Sequence, residues 1–373
     1  MKTPGLYIHI PFCRSKCLYC GFYSSTSLDL VPEFLKALPL EMDLYRSEFS
    51  SFDTLYIGGG TPSLLSAGEL GAILEATAKR FTISSRAEIT LEANPADLTP
   101  LSLQAWRRLG INRLNIGVQA LDDGALAFLG RRHNRSQALA ALQAAGDAGF
   151  ANVGLDLIYG LPGQKLADWR ETLRLALSFS PAHLSCYQLT VEAGTPLSRL
   201  LARGEIQLPN GEALADLFFT TAAELEKAGY IHYEVSNFAR NKDLLSRHNQ
   251  KYWDHTAYLG LGPAAHSFHG QRRWWNHGDL GAYLGDLGKG VPPRAAEEKL
   301  TRDDLCLETL FLGLRTKKGV NLRDYLRCYD RDLLSEKSEP IALLEKKGLV
   351  MIKNGCLRPT LAGLAVADSL ALI

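Results

Sequence analysis

The chain lacks an excess of charge of either sign: 41 lysines and arginines stand against 40 aspartates and glutamates, a formal net charge of +1. Dedicated nucleic-acid binders carry a strong basic field, so no nucleic-acid partner is expected. No run of about 18 apolar residues occurs, and no membrane span is expected. The opening Met1-Lys2-Thr3-Pro4 shows no charged-then-apolar signal pattern. Internal repeats and low-complexity segments are missing too. The 7 cysteines are an odd number and few for 373 residues, which argues against a secreted disulfide framework and for the reducing cytoplasm. What is present is an ordinary globular composition, 46% hydrophobic and 22% charged, long enough for more than one domain.

Three cysteines are crowded near the start, in Cys13-x3-Cys17-x2-Cys20, directly after the apolar, strand-like run Leu6–Ile10. Three thiolates suit a cubane iron–sulfur cluster whose fourth iron has no protein ligand and can bind a small molecule. Two other readings stay open on spacing alone. Cys17-Leu18-Tyr19-Cys20 is also a C-x-x-C redox spacing, and structural zinc takes cysteine ligands, although no nearby histidine completes a familiar zinc pattern. Cys186, Cys306, Cys328 and Cys356 are scattered and read as small buried hydrophobes.

From residue 6 to about 190, strands at Leu6–Ile10, Thr54–Ile57, Glu88–Glu92, Arg113–Gly117, Asn152–Ile158 and His183–Tyr187 alternate with helical patterns. Such alternation implies parallel β/α units, as an open sheet or a partial barrel. Functional groups gather at the carboxyl ends of parallel strands. Here those ends carry the cysteine loop, Gly58-Gly59-Gly60-Thr61, Glu92, Gln119, Asp156 and Tyr187-Gln188. The glycine turn lets backbone approach a ligand, but no Gly-Lys-Ser/Thr follows it and it is not G-x-G-x-x-G. Taken singly, Glu92 or Asp156 could equally be a helix cap or turn residue; together with Gln119 they suggest one shared site.

Glycine- and proline-rich turns near Glu192–Pro196 and Leu208–Gly211 mark the exit from this unit, and Gly211–Lys227 reads as a helix. Tyr230–Phe238 is strand-like, and six of the nine histidines lie between His232 and His277. Imidazoles beside large aromatic rings suit a flat ligand such as haem, although each one could equally be part of a packed aromatic patch. From about Leu300 the pattern is helical, then hairpin-like over Gly348–Ile352 and Cys356–Pro359, then helical again to Leu370. The expected domains are therefore 1–195, 196–295 and a winged-helix-like lobe at 296–373.

Cys13-x3-Cys17-x2-Cys20 with Gly58-Gly-Gly-Thr-Pro62 resembles the radical S-adenosylmethionine superfamily. Tyr7-Ile-His-Ile-Pro-Phe-Cys13, Gly117-Val-Gln-Ala-Leu121, Leu129-Gly-Arg-Arg-His133, Asp156-Leu-Ile-Tyr-Gly-Leu-Pro-Gly163 and Tyr233-Glu-Val-Ser-Asn-Phe238 extend the likeness to the oxygen-independent coproporphyrinogen III oxidase branch. Within it, His248-Asn-x-x-Tyr252-Trp253 followed by Gly260-Leu-Gly-Pro-Ala-Ala-His-Ser267 is similar to the haem-chaperone group. Phe22 stands where the oxidases carry another cysteine, the strand bearing Tyr7 starts at once, and Ala120 stands where that group commonly has serine.

The resemblance implies a partial (β/α)6 radical-SAM barrel with a mixed α/β extension and a winged-helix-like lobe. It implies that Cys13, Cys17 and Cys20 hold a [4Fe–4S] cluster whose open iron is chelated by S-adenosylmethionine. Tyr7 and Tyr19 would flank cluster and ligand, and Gly59, Gly60 and Thr61 would run along the methionine. Glu92, Gln119, Arg131 and Asp156 would hold its polar groups, while His248 would help hold haem. The implied function is a chaperone that binds haem and delivers it to haem-requiring apoproteins, the alternative being radical decarboxylation of porphyrinogen propionates. A homodimer, and membrane association only through partners, complete the expectation.

Overall fold

The computed structural model describes residues 2–370. Six strands, β1 (Gly5–Ile10), β2 (Ser51–Gly59), β3 (Thr82–Ala93), β4 (Arg113–Gln119), β5 (Val153–Tyr159) and β6 (His183–Gln188), lie side by side and parallel in chain order. Helices Val31–Tyr45, Ala67–Arg80, Pro100–Arg108, Arg135–Asp147 and Leu166–Ser178 lie between them in the chain. Their starts are set locally. Ser66 with Glu69, Thr99 with Ser102 and Asn134 with Gln137 form reciprocal capping boxes that satisfy the first free N–H groups.

The sheet does not stop at six strands. Beyond β6 lie the short β7 (Ile231–His232) and β8 (Asn237–Ala239). On the other side β9 (Tyr258–Leu261) pairs parallel with β1, followed outward by β10 (His266–His269), β11 (Arg272–Asn276) and β12 (Arg294–Lys299) as an antiparallel edge. The segment 196–295 thus continues the barrel's own sheet. The strand expected over Tyr230–Phe238 is split into β7 and β8 by a tight turn at Tyr233–Ser236.

Side chains alternate along each strand, and the two faces differ sharply. One face carries Leu6, Ile8, Leu55, Ile57, Leu91, Leu114, Ile116, Leu155 and Leu184, all fully buried in a continuous apolar core. Register puts Tyr7, Tyr56, Thr90 and Arg113 in one row on the other face, with Gly117, Asp156 and Ser185 in another. Buried parallel sheets usually read as apolar on both faces. A polar inner face therefore marks an interior built around something other than packing.

Helix Arg247–Trp253 lies against the amino end of that interior, where β1, β2 and β3 begin. Both Glu88 oxygens cap it, accepting the N–H groups of Arg247 and His248 at 3.1 and 3.0 Å. Lys251 donates to the Thr3 carbonyl at 2.7 Å and pairs with Asp53 at 2.6 Å.

Residues beyond 300 form helices Arg302–Gly313, Leu322–Tyr329 and Ser338–Lys346 around a sheet of β13 (Val320–Asn321), β15 (Cys356–Pro359) and β14 (Val350–Lys353). Cys306, Leu310, Leu314, Tyr325, Ile341 and Leu357 give it a core of its own. The last helix is two short ones, Leu361–Ala365 and Ala367–Leu370. Among the four scattered cysteines, Cys186, Cys306 and Cys356 are buried as expected, whereas Cys328 is exposed. No helix of the described residues is long and apolar enough to cross a membrane.

Candidate functional site at the carboxyl ends of the strands

The cysteine loop leaves β1 and is pinned on three sides. Cys13 and Ser25 hold its two limbs together, with Cys13 N–H to Ser25 O at 2.9 Å and Ser25 N–H to Pro11 O at 2.6 Å. The glycine turn after β2 locks onto its base, Gly60 donating to Ile10 O and Thr61 to Phe12 O, both at 2.8 Å. Its tip meets two further segments: Leu18 donates to Leu129 O at 3.3 Å, and Leu197 donates to Leu18 O at 3.0 Å. Glycine is required where the strands converge. Gly59 has φ +108°, and a Cβ on it would lie 2.7 Å from the His9 ring; a Cβ on Gly60 would lie 2.6 Å from Phe12 O.

Inside this ring lies a cavity of about 650 Å³. Cys13, Cys17, Tyr19, Cys20, Gly59, Gly60, Thr61, Glu92, Gln119, Arg131 and Asp156 all line it. All three thiols are free and half-buried, and burial pushes the Cys20 thiol up from its usual range. Cys13 Sγ is 3.3 Å from Thr61 Oγ1, and Arg131 directs Nη1 toward Cys17 Sγ at 3.6 Å while Nη2 donates to Gly117 O at 2.6 Å. Among the described residues, no three His, Cys, Asp or Glu side chains are close enough to cage a single ion. Cys13, Cys17 and Cys20 all line the one cavity, and three thiolates suit a multi-iron group.

The carboxylates stand deeper. Glu92 accepts from Tyr56 OH at 2.7 Å and from Gly59 N–H at 3.2 Å, and burial pushes its carboxyl up to about 7. Asp156 accepts from Asn115 Nδ2 at 2.6 Å, is pushed by burial to about 6, and keeps Oδ1 without a partner. Arg131 Nε is also unpartnered. Buried orphan atoms facing a cavity are what a polar ligand would satisfy. Gln119 holds φ +68° at the end of β4, a strained backbone that turns it into the same space. Arg132 also reaches the cavity, but its Nη2 is committed to both Asp97 oxygens at 3.0 Å.

Two expected site residues are not brought into the cavity. Tyr7 is on the inner face below it, its OH 3.1 Å from His9 Nδ1. His248 is 1% exposed at the amino end of the strands; Nδ1 meets Thr54 Oγ1 and Nε2 meets Tyr252 OH, both at 2.9 Å. With both ring nitrogens engaged, His248 has none left for an iron in this arrangement. It packs against Tyr56, ring centres 5.2 Å apart, and Tyr56 is the residue that holds Glu92. The next residue, Asn249, does line the cavity.

Arg113, Asn115, Tyr56 and Ser185 also line the cavity and were not singled out from sequence. The signal was there: each occupies an inward position of a strand whose other face is apolar.

Residues 7–176 match the radical SAM superfamily and residues 300–366 the HemN C-terminal domain. The chain is 36% identical over 350 residues to the heme chaperone HemW of Bacillus subtilis, covering 92% of each chain. It is 38% identical over 331 residues to the heme chaperone HemW of a Synechocystis strain, covering 86% of this chain and 80% of that one. With the mitochondrial radical S-adenosyl methionine domain-containing protein 1 of Bos taurus it shares 35% identity, over 100% of this chain and 87% of the other. Among solved structures, Escherichia coli coproporphyrinogen III oxidase (HemN), a radical SAM enzyme, superposes with a TM-score of 0.86 at 25% identity, over 100% of this chain and 90% of that one. Identity of this extent across most of both chains shows the family: the chain belongs to the radical SAM superfamily, within the family of the heme chaperone HemW.

Proposed function

We propose that this protein is a cytoplasmic haem chaperone, binding haem and handing it to haem-requiring apoproteins. As a radical SAM protein it carries a [4Fe–4S] cluster and S-adenosylmethionine, which together supply one-electron reductive chemistry when bound. In this reading Cys13, Cys17 and Cys20 hold the cluster and Tyr19 covers it. Gly59, Gly60 and Thr61 present backbone to the methionine end, while Glu92, Gln119, Arg131 and Asp156 take the ligand's polar groups. Tyr7 and His248 act from behind the cavity wall, supporting Tyr56 and through it Glu92. Residues 1–195 then serve cluster and ligand, 196–295 extend the open sheet on both sides, and the lobe from 296 is left for partners.

The observation that carries the choice between chaperone and oxidase is Phe22. It lines the mouth of the cavity and is 71% exposed, an apolar ring where the resemblance would give an oxidase a reactive thiol. The deciding experiment reconstitutes the protein anaerobically with iron and sulfide. It then adds haem or, separately, coproporphyrinogen III with S-adenosylmethionine and a reductant. Stable haem binding, read from the Soret band, and no decarboxylated product are expected. Decarboxylation at catalytic turnover would overturn the chaperone reading. Size-exclusion chromatography with and without the cluster checks the accompanying dimer.

A further inference from the structure

Arg113 is only 1% exposed and sits on the inner face of β4, yet its Nε and Nη1 have no hydrogen-bond partner. A buried, unpaired guanidinium costs several kcal/mol, so something must answer it. Three more partnerless buried atoms accompany it: Asn115 Oδ1, Asp156 Oδ1 and His183 Nδ1. Gly154 shows how close they come. A Cβ built there would lie 2.7 Å from Asn115 Oδ1, 3.4 Å from Arg113 Nη2 and 3.5 Å from His183 Nδ1. Donors and acceptors gathered round one small polar space are the conditions under which buried water is held. Glu88, whose oxygens cap the helix at the amino end, and Asp156 act on Arg113 from a distance. Arg113 in turn pulls against the burial that raises Glu92 and Asp156.

We infer that Arg113 is a positioning residue: a fixed counter-charge in the cavity wall that, through water held with Asn115, Asp156 and His183, sets the Asp156 carboxyl group, and from the same sheet face that of Glu92, to receive a cationic sulfonium ligand. The inference rests on the proposed S-adenosylmethionine site and adds a residue that the resemblance did not supply. The groups facing Arg113 are Tyr56 from β2, Glu88 and Glu92 from β3, Asp156 from β5, His183 from β6, Tyr233 after β7 and His248 from the helix at the amino end. Glu92 and Asp156 face Arg113 and Arg131 in the cavity wall, and Glu88 adds a third carboxyl group at the amino end.

The test measures, by calorimetry, the affinity of the reconstituted protein for S-adenosylmethionine and for the uncharged thioether S-adenosylhomocysteine between pH 5.5 and 8.5. In the wild type, S-adenosylmethionine affinity should fall as pH drops through the range in which Glu92 and Asp156 take up protons. Arg113→Gln should move that midpoint upward by about one unit and weaken binding at pH 7 about tenfold. Arg113→Lys should restore most of both, and S-adenosylhomocysteine, which keeps the polar groups but lacks the sulfonium charge, should lose less than S-adenosylmethionine does. An unmoved midpoint, or equal losses for the two ligands, overturns the inference while leaving the cofactor site standing. Failure of the wild type to bind S-adenosylmethionine removes the site itself, and the inference with it. Should Arg113→Gln not fold, Glu88→Gln/Arg113→Gln is compared with Glu88→Gln, where the same upward midpoint shift is required.

Discussion

At the scale of single residues, His248 carries the most specific expectation. Its ring is buried, with one hydrogen bond joining the helix to Thr54 of β2 and the other made to Tyr252 of its own helix. Loss of its volume, with Thr54 and Tyr252 left unpaired, should make His248→Ala less stable by about 3 kcal/mol in urea unfolding at pH 7. Burial lowers its pKa from 6.5 to about 3. A base lowered in this way contributes fully above pH 6.5 and loses that contribution as pH falls toward 3. The gap between wild type and variant should therefore shrink by about 2 kcal/mol between pH 7 and pH 5, and a gap that widens would refute the assignment. A haem-binding defect in His248→Ala must be read beside this loss. Sequence made the residue conspicuous but could not say which end of the barrel it occupied. Motif spacing is one-dimensional, and the turn before Arg247 decides the placement.

At the scale of elements, the cysteine loop depends on a neighbour that is not its own sequence. Gly60 is pressed against Phe12 O, so Gly60→Ala must push backbone against backbone and spread the thiols. Iron bound after reconstitution should drop several-fold, measured by metal analysis. Gly146→Ala, in a helix with nothing within 4 Å, should retain full iron and gain about 1 kcal/mol of stability. The six barrel strands and most helices were legible because their apolar runs and caps are local signals. The edge strand β12 was not. Arg-Ala-Ala-Glu-Glu-Lys has no apolar alternation because it is a charged edge, held by Arg272–Glu297 and Arg273–Glu298 pairs at 3.0 Å. Nor could the polar face of the parallel strands be recognised as an interior until register aligned Tyr56, Thr90 and Arg113.

At the scale of the whole molecule, two sets of buried groups pull stability in opposite directions with pH. Burial raises Glu41, Glu92 and Glu234 to about 7 and Asp156 to about 6. It lowers His9, His133 and His232 to about 4 and His248 to about 3. Raised acids favour the fold below their ordinary values of 4.5 and 3.8 and lose that effect as pH rises to about 7. Lowered histidines favour it above 6.5 and lose that effect on acidification. The ligand-free melting temperature should therefore vary little between pH 5 and 7 by scanning calorimetry. A sulfonium ligand that holds Glu92 and Asp156 ionised removes two of the raised acids, so the bound protein should melt higher at pH 7 than at pH 5.

The placing of β1 between β2 and β9 has a consequence for how the protein is made. The strand that launches the cysteine loop leaves the ribosome well before its second neighbour, which lies some 250 residues downstream. Until that distant strand arrives, one flank of the loop's parent strand stays open. Vectorial synthesis therefore favours a nascent chain that collects iron late, after its last barrel partner has docked.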